Sequence, residues 1–407
     1  ADDIVLGGSY PSYTSVGSTV PVSLTWEKST TYDVGLDLDF FNNRLSVSGD
    51  YYRRYTTDMY TASVALPAVY GTGSPKGNNA EMKTDGWELS LSWRDSFKLG
   101  GKPFDYSIKA MVWDSKSVIT KYVNDTGSLG TVKGFIENGG SPSSYYVGMT
   151  VGEIWGYTVA GLFRDQADID SSAIHDFVQA SDKVTRPGQV KIADLDGNGF
   201  IDPGNFAVDD HGDLRIIGNQ SPRYRYGVNL SARWNGIGLS VFLQGVGARD
   251  WYPGSDAGMF WGKYGRPFFA LIPSIHNYTD DMYSAERNNW DTAYWPRMTT
   301  YQSNGTKNWT RLLEIPNTRY IQSAAYLRVK NIQLDYSFPK HICSAIRLQG
   351  LKIYVNAENL FTFTPLHKYA PNFDPEGLSY DSDFASAADG YTYPILKSVT
   401  VGVNITF

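Results

Sequence analysis

The run Asp194-Leu-Asp-Gly-Asn-Gly-Phe-Ile-Asp202 has the residue types and spacing of a calcium-binding loop. A calcium ion takes about six to eight oxygen ligands, and alternating Asp and Asn side chains around glycines can turn their oxygens toward one point. Asp194, Asp196 and Asn198 fall at the first, third and fifth positions of such a loop, and Phe200 would offer its backbone carbonyl at the seventh. The twelfth position calls for an acidic side chain, and here it is Asn205, so a contiguous loop lacks its last ligand. The competing reading is a solvated Asp/Gly-rich turn without metal.

Other reactive side chains form no pattern. His175, His211, His276, His341 and His367 are scattered, and there is no nucleophile elbow, zinc spacing or phosphate loop. Paired carboxylates such as Asp209-Asp210 read as solvated loop residues, so no enzyme is expected. The single cysteine, Cys343, cannot form an internal disulfide and reads as a small buried apolar residue. The aromatic segment Arg249-Asp-Trp-Tyr-Pro253, continued by Met259-Phe-Trp-Gly262, is a candidate for ligand contact. Trp251, Tyr252 and Trp261 would present flat rings to sugar faces or peptide side chains, or would brace neighbouring loops.

These residues sit in loops, and the elements that carry the loops are strands. Val399, Val401, Val403, Ile405 and Phe407 alternate without a fault against Thr400, Gly402, Asn404 and Thr406. A period of two places every apolar side chain on one face of a sheet. The same alternation runs through Val34 to Phe40, Trp87 to Trp93, Phe104 to Val112, Tyr226 to Trp234 and Leu239 to Leu243. Further strands are expected over about 44–61, 324–338, 348–364 and 393–407, which makes about nine in all.

The lengths of the connections alternate. Tight turns are expected near Asn42, Gly100 and Gly236 and over 339–350, whereas long loops cover about 67–80, 123–223, 253–320 and 365–391. In an up-and-down sheet alternate connections share an end, so one end carries turns and the other carries loops. Outer-membrane barrels have this asymmetry, with short periplasmic turns and long extracellular loops. The expected fold is therefore all-β: a transmembrane antiparallel up-and-down β-barrel whose apolar strand face meets lipid, with Phe407 at the periplasmic rim. Two alternatives remain open, a passive porin or adhesin barrel and a soluble all-β binding module.

Composition agrees with strands and turns. The 407 residues include 40 Gly, 29 Tyr and 11 Trp, and aromatics reach 14% against 19% charged residues. No run approaches the ~20 apolar residues of a spanning helix, a test to which barrel strands are blind. Net charge is −6 and basic residues do not cluster, which argues against nucleic acid and anionic lipid surfaces as partners. Seven glycosylation-type sequons occur, and Asn404, inside the terminal strand, shows that they arise by chance. The chain opens Ala1-Asp-Asp-Ile without an initiator Met or an apolar leader, so a removed signal or a missing N-terminal portion is expected. An odd strand count points the same way, because bacterial single-chain barrels use even numbers.

Several blocks in order resemble the SusC/RagA-like TonB-linked outer-membrane transporters. They are Leu24-Thr-Trp-Glu-Lys-Ser-Thr-Thr-Tyr-Asp-Val-Gly-Leu-Asp-Leu, Phe40-Phe-Asn-Asn-Arg-Leu-Ser, Lys83-Thr-Asp-Gly-Trp-Glu-Leu, Gly152-Glu-Ile-Trp-Gly-Tyr, Arg215-Ile-Ile-Gly-Asn, Tyr326-Leu-Arg-Val-Lys-Asn-Ile and Asn356-Ala-Glu-Asn-Leu-Phe-Thr. The resemblance implies the last nine or so strands of a ~22-stranded barrel. It implies a plug and N-terminal domains absent from this chain, coupling to TonB through that missing region, and a SusD-like lipoprotein as a lid. Import of oligosaccharides or peptides across the outer membrane of a Gram-negative bacterium follows from it, as does recognition of the terminal aromatic strand by the barrel-assembly machinery. It also implies a late acidic ligand for the calcium loop: Asp213, just before Leu-Arg-Ile-Ile-Gly218, with an insertion over 203–212.

Overall fold

A computed structural model describes residues 22, 24–63, 75–124, 126–130, 142, 144–175, 185–253, 260, 281–297, 315–378 and 395–407. Fifteen strands lie among them, and nine of these form one antiparallel sheet. In the order in which they pair, the nine are β1 (Lys28–Phe40), β2 (Leu45–Ala62), β3 (Lys76–Leu99), β4 (Lys102–Lys121), β9 (Arg223–Trp234), β10 (Ile237–Ala248), β13 (Tyr326–Ser337), β14 (Gly350–Phe363) and β15 (Ser398–Thr406). Each pairs with the next in the chain among the nine, which is the up-and-down order that the alternating connections imply. Among the described residues β1 and β15 each have one neighbour, so the sheet is open.

The tight turns lie where glycine and asparagine permit a left-handed backbone. Gly100-Gly101 (φ 61° and 78°) joins β3 to β4, and Asn235-Gly236 (φ 49° and 86°) joins β9 to β10. Both put two successive residues at positive φ, as a turn matched to strand twist requires. The connection from β13 to β14, expected as a plain turn, contains a one-and-a-half-turn helix, Lys340–Ala345, whose buried residue is Cys343.

Register fixes which side chains share a face. Leu38, Val47, Leu91 and Ala110 are consecutive partners across β1 to β4, as are Ile108, Leu230, Val241 and Ile332 across β4, β9, β10 and β13. This apolar face has no protein against it. Val34 is 75% exposed, Val399 66% and Val401 73%, and Leu36, Leu89, Leu239, Leu334 and Val355 are exposed too. A continuous apolar surface of this extent demands a partner phase, and for an antiparallel sheet with one greasy face that phase is hydrocarbon.

The short-turn edge of this face is ringed by aromatics. Phe97 and Phe104 stand 5.1 Å apart, Phe104 and Tyr106 6.0 Å, Phe41 and Trp93 6.2 Å, and Tyr336 and Phe338 5.0 Å. Trp93 Nε1 donates to Tyr106 Oη at 3.0 Å. Rings with a polar tip are enriched where hydrocarbon meets headgroups. The opposite face is polar, and on it Tyr52 lies over Gly86 and Tyr354 over Gly402, filling space that any Cβ would occupy. Such cross-strand pairing shields a glycine that would otherwise leave the sheet backbone bare.

The buried core is elsewhere. Leu129, Tyr146, Trp155, Tyr157, Leu162, Ile192, Trp251, Phe260, Trp295, Tyr320, Leu366 and Phe373 belong to one cluster built from the long connections at the far end of the sheet. Three small sheets organise it: β5 (Glu153–Tyr157) with β8 (Leu214–Asn219), β6 (Val159–Leu162) with β7 (Val190–Ile192), and β11 (Asp250–Trp251) with β12 (Gln322–Ser323).

Candidate functional site

Two features of this loop unit bear on function, an acidic nest and an aromatic body. The nest forms between β7 and β8. Gly197 and Gly199 adopt φ of 76° and 83°, a conformation that lets the chain curl round the Asp194 carboxylate. Asp194 accepts from the amides of Gly197 (2.6 Å) and Gly199 (2.9 Å), Asp196 from the amide of Asn198 (3.0 Å), and Asn198 Oδ1 from the amide of Phe200 (2.7 Å). Each is a short Asx-type turn, the local device by which these side chains replace secondary structure.

Asp213 enters from the start of β8 and is fully buried. Its two oxygens accept from the amides of Leu195 (2.6 Å) and Asp202 (3.2 Å), which ties the late acidic residue to both ends of the loop. One carboxylate oxygen from each of Asp194, Asp196 and Asp213 lies within 4.8 Å of the others. The insertion over 203–212 loops out, and the Asp213 amide returns to the Asp202 carbonyl at 2.9 Å.

Burial pushes the Asp213 carboxyl up despite its two amide donors, and the charges of Asp196 and Asp194 add to the rise. Asp194 goes the other way, held low first by the Gly199 amide. Among the described residues no Lys or Arg forms an ion pair with these three carboxylates. The donor set is all oxygen and its charge is uncompensated, which suits a hard divalent cation.

Asn198 is placed differently from a ligand. Its amide nitrogen donates to Asp196 (3.2 Å) and Asp202 (3.0 Å), so it serves as a hydrogen-bond donor to their carboxylates. Phe200 is 46% exposed and is bridged to Ile174 on the far side of the loop. Asp202 was not singled out by sequence reasoning, although it stands at the ninth position, where calcium loops place a ligand that often acts through water.

The aromatic body contains Trp251 and Tyr252, 1% and 0% exposed, with the Trp251 ring 4.9 Å from Phe373 and 6.2 Å from Phe260. The Tyr252 hydroxyl accepts from Asn317 Nδ2 at 2.9 Å. Rings packed on every side brace loops and have no face left for a ligand. Trp261 lies outside the described residues. One half-open aromatic surface among the described residues is Tyr294 stacked on Tyr369, centroids 3.6 Å apart and planes within 2°, with the Lys368 ammonium 4.7 Å above Tyr369. The two tyrosines are distant in sequence and belong to different loops, so no local spacing could have revealed the pair.

The last long loop is locked to the sheet's polar face. Arg328 on β13, 3% exposed, reaches Asp374 (2.5 Å) and Glu376 (2.6 Å), and Lys330 joins Glu376 at 2.8 Å. Arg249 donates to the carbonyls of Gln220 (3.1 Å), Pro375 (3.2 Å) and Leu378. Burial favours the neutral Asp374 acid, but the Glu376 amide and Arg328 outweigh it and hold the group low. The segment 365–378 is thereby drawn down onto the face opposite the apolar one.

Known proteins share this architecture. The chain is 26% identical to TonB-dependent receptor P3 of Formosa agariphila over 95% of its length, covering 34% of that protein. It is 24% identical to TonB-dependent receptor SusC of Bacteroides thetaiotaomicron, again over 95% of this chain and covering 32% of SusC. The chain thus spans about a third of the length of the relatives it matches. Among solved structures, the RagAB peptide transporter superposes with a TM-score of 0.62 at 19% identity, covering 98% of this chain and 38% of that one. The "open-open" state of the RagAB peptide importer gives 0.64 at 19% identity, covering 97% and 36%. The family described as "TonB dependent receptor-like, beta-barrel" matches residues 5–209. With half of the chain inside that family's pattern and the lipid-facing sheet in place, the chain belongs to the TonB dependent receptor-like β-barrels, SusC-like proteins of the Gram-negative outer membrane.

Proposed function

We propose that this chain builds part of the barrel wall and the extracellular mouth of a TonB-dependent importer of large nutrients, glycans or peptides, working with a SusD-like surface lipoprotein. The observation that supports this reading is the packing of the long connections at one end of the sheet. Long connections gather into one packed unit above the sheet, and Arg328, Lys330 and Arg249 hold the last of them over the lumen face. A passive porin needs a standing aqueous path, whereas long connections tied down onto the polar face of the sheet suit a barrel that is opened by a partner and an energy source. The half-open Tyr294–Tyr369 stack beside Lys368 is the surface we assign to cargo contact, since flat rings with polar edges suit sugar and peptide alike. The relatives it resembles are receptors and transporters, and the chain is read likewise as non-enzymatic.

The test is uptake by cells. A strain lacking the gene is grown on oligopeptides or on polysaccharides as sole source, with a second strain lacking TonB. Growth on one cargo class should fail in both strains and return with the restored gene. Growth that depends on the gene and persists without TonB would replace the importer by a passive pore. We also propose that Asp194, Asp196 and Asp213 hold a structural calcium ion that fixes the base of the loop unit.

A further inference from the structure

The inner wall of the acidic nest carries a buried hydroxyl with no hydrogen bond. Tyr157, the last residue of β5, pairs with Leu214 of β8, so Asp213 stands one residue away across the pair. The Tyr157 side chain is 1% exposed, and its Oη has no hydrogen-bond partner among the described residues. Burial, and then the charges of Asp213 and Asp202, push its pKa up, so the hydroxyl lies within the field of the nest. Those two residues close the nest, the Asp213 amide donating to the Asp202 carbonyl and the Asp202 amide to the Asp213 carboxylate. A buried hydroxyl left unpaired is costly, and a site that keeps one is a site where a bound ion or its water completes it.

The same residue joins the nest to the aromatic body. The Tyr157 amide donates to the Pro316 carbonyl at 2.9 Å, and the Thr318 amide donates to the Tyr157 carbonyl at 3.0 Å. Gly156 permits this approach, since a Cβ there would lie 2.2 Å from the Pro316 carbonyl oxygen. Between the two contacts sits Asn317, also 1% exposed. Its Nδ2 donates to the Tyr252 hydroxyl, and its Oδ1 accepts from the amides of Arg319 and Tyr320, each at 3.2 Å. Tyr320 Oη donates in turn to the carbonyl of Tyr294, the ring stacked on Tyr369, at 3.1 Å. A continuous run of buried hydrogen bonds thus leads from Tyr157 to the surface assigned to cargo.

We propose that a calcium ion in the nest regulates the cargo surface through Tyr157, whose hydroxyl gains its partner when the ion binds. The proposal rests on the calcium reading of Asp194, Asp196 and Asp213. Without the ion the three carboxylates repel one another and the hydroxyl is unpaired, so the Tyr157 end of β5 is weakened twice over. With the ion the repulsion becomes shared attraction, and water carried on the ion supplies the hydroxyl with a hydrogen bond. The two states differ in the stability of segment 316–320, which is the element the ion biases.

The experiment compares the full-length, detergent-extracted protein with Tyr157→Phe and with the double variant Asp194→Ala, Asp196→Ala, each in chelator and in calcium. Equilibrium dialysis against radioactive calcium reads occupancy, and hydrogen exchange of the Thr318 and Tyr320 amides reads the route. The wild type should bind calcium and gain about tenfold protection at both amides on binding. Tyr157→Phe should still bind calcium, about fivefold more weakly, and should lose that gain. The substitution deletes a hydroxyl that bonds to no other described residue, so the fold does not depend on it. Calcium bound by the wild type with no change at either amide would overturn the regulation. A Tyr157→Phe variant that gains protection as the wild type does would overturn the role of Tyr157. No calcium bound by the wild type, or binding undiminished in the double variant, would instead remove the calcium reading, and the proposal with it.

Discussion

Asp213 illustrates how a buried charge can be costly and retained. It is fully buried beside Asp194 and Asp196, and two backbone amides satisfy it without neutralising the group of three. A divalent cation would convert mutual repulsion into shared attraction, so substitution should act in opposite directions with and without metal. Elemental analysis of the purified protein should find about one calcium, lost when Asp194 and Asp196 are both changed to Ala. With chelator present, Asp196→Asn, which keeps an oxygen for the Asn198 amide, should make the loop unit more resistant to protease than the wild type, because like-charge repulsion is relieved. With calcium present the order should reverse. An unchanged calcium signal in the double variant would sink the assignment. The sequence showed Asp194 and Asp196 by their spacing, whereas Asp213 came only through family resemblance, because a ten-residue excursion separates it from Asp202. The burial of Trp251 and Tyr252 was not legible, since aromatic loop segments look alike whether they face a ligand or each other.

Among the elements, the pairing of β6 with β7 depends on a neutral histidine. His175 is buried, its Nδ1 lies 2.8 Å from the Ala173 carbonyl, and its Nε2 accepts from the Ile192 amide at 3.0 Å. Only the neutral ring with its proton on Nδ1 can make both bonds. Burial pushes its pKa below the usual histidine value, outweighing the Ala173 carbonyl. The unfolded chain therefore takes up the proton before the folded one does. Stability from this contact is complete above the unfolded value of about 6.5 and is lost as pH falls below it, by at most about 1.4 kcal/mol per pH unit. Hydrogen exchange of the Ile192 amide, corrected for intrinsic rate, should show weaker protection at pH 5 than at pH 7. A His175→Gln variant should remove that pH dependence, and if it does not, His175 is not the titrating group. The hairpins at Gly100-Gly101 and Asn235-Gly236 were readable from their turn residues, since local backbone chemistry decides them. The pairing of β5 with β8 was not, because Tyr157 and its partner Leu214 meet across most of a long loop and no local periodicity records the encounter.

For the molecule as a whole, the two faces of the sheet make opposite demands, and this separates a membrane wall from a water-soluble sheet. Leu91 lies mid-band on the apolar face, 42% exposed, between Val47 and Ala110, while its neighbour Ser90 faces the lumen between Ser48 and Met111. If hydrocarbon covers Leu91, an arginine there must carry a charge into the membrane midplane, at a cost of about 2–4 kcal/mol. An arginine at Ser90 keeps its charge in the aqueous lumen and should cost well under about 1 kcal/mol. In a soluble sheet, where both positions would meet water, the two substitutions would be nearly equivalent. Folding of the membrane-inserted protein into phosphatidylcholine vesicles, followed by urea titration, measures both. A marked loss for Leu91→Arg with Ser90→Arg near the wild type identifies the lipid face. Equal midpoints for the two variants would remove the membrane from the account and leave the long apolar face without a partner. The alternation that first suggested a barrel strand therefore carries a measurable energy difference between adjacent residues of one strand.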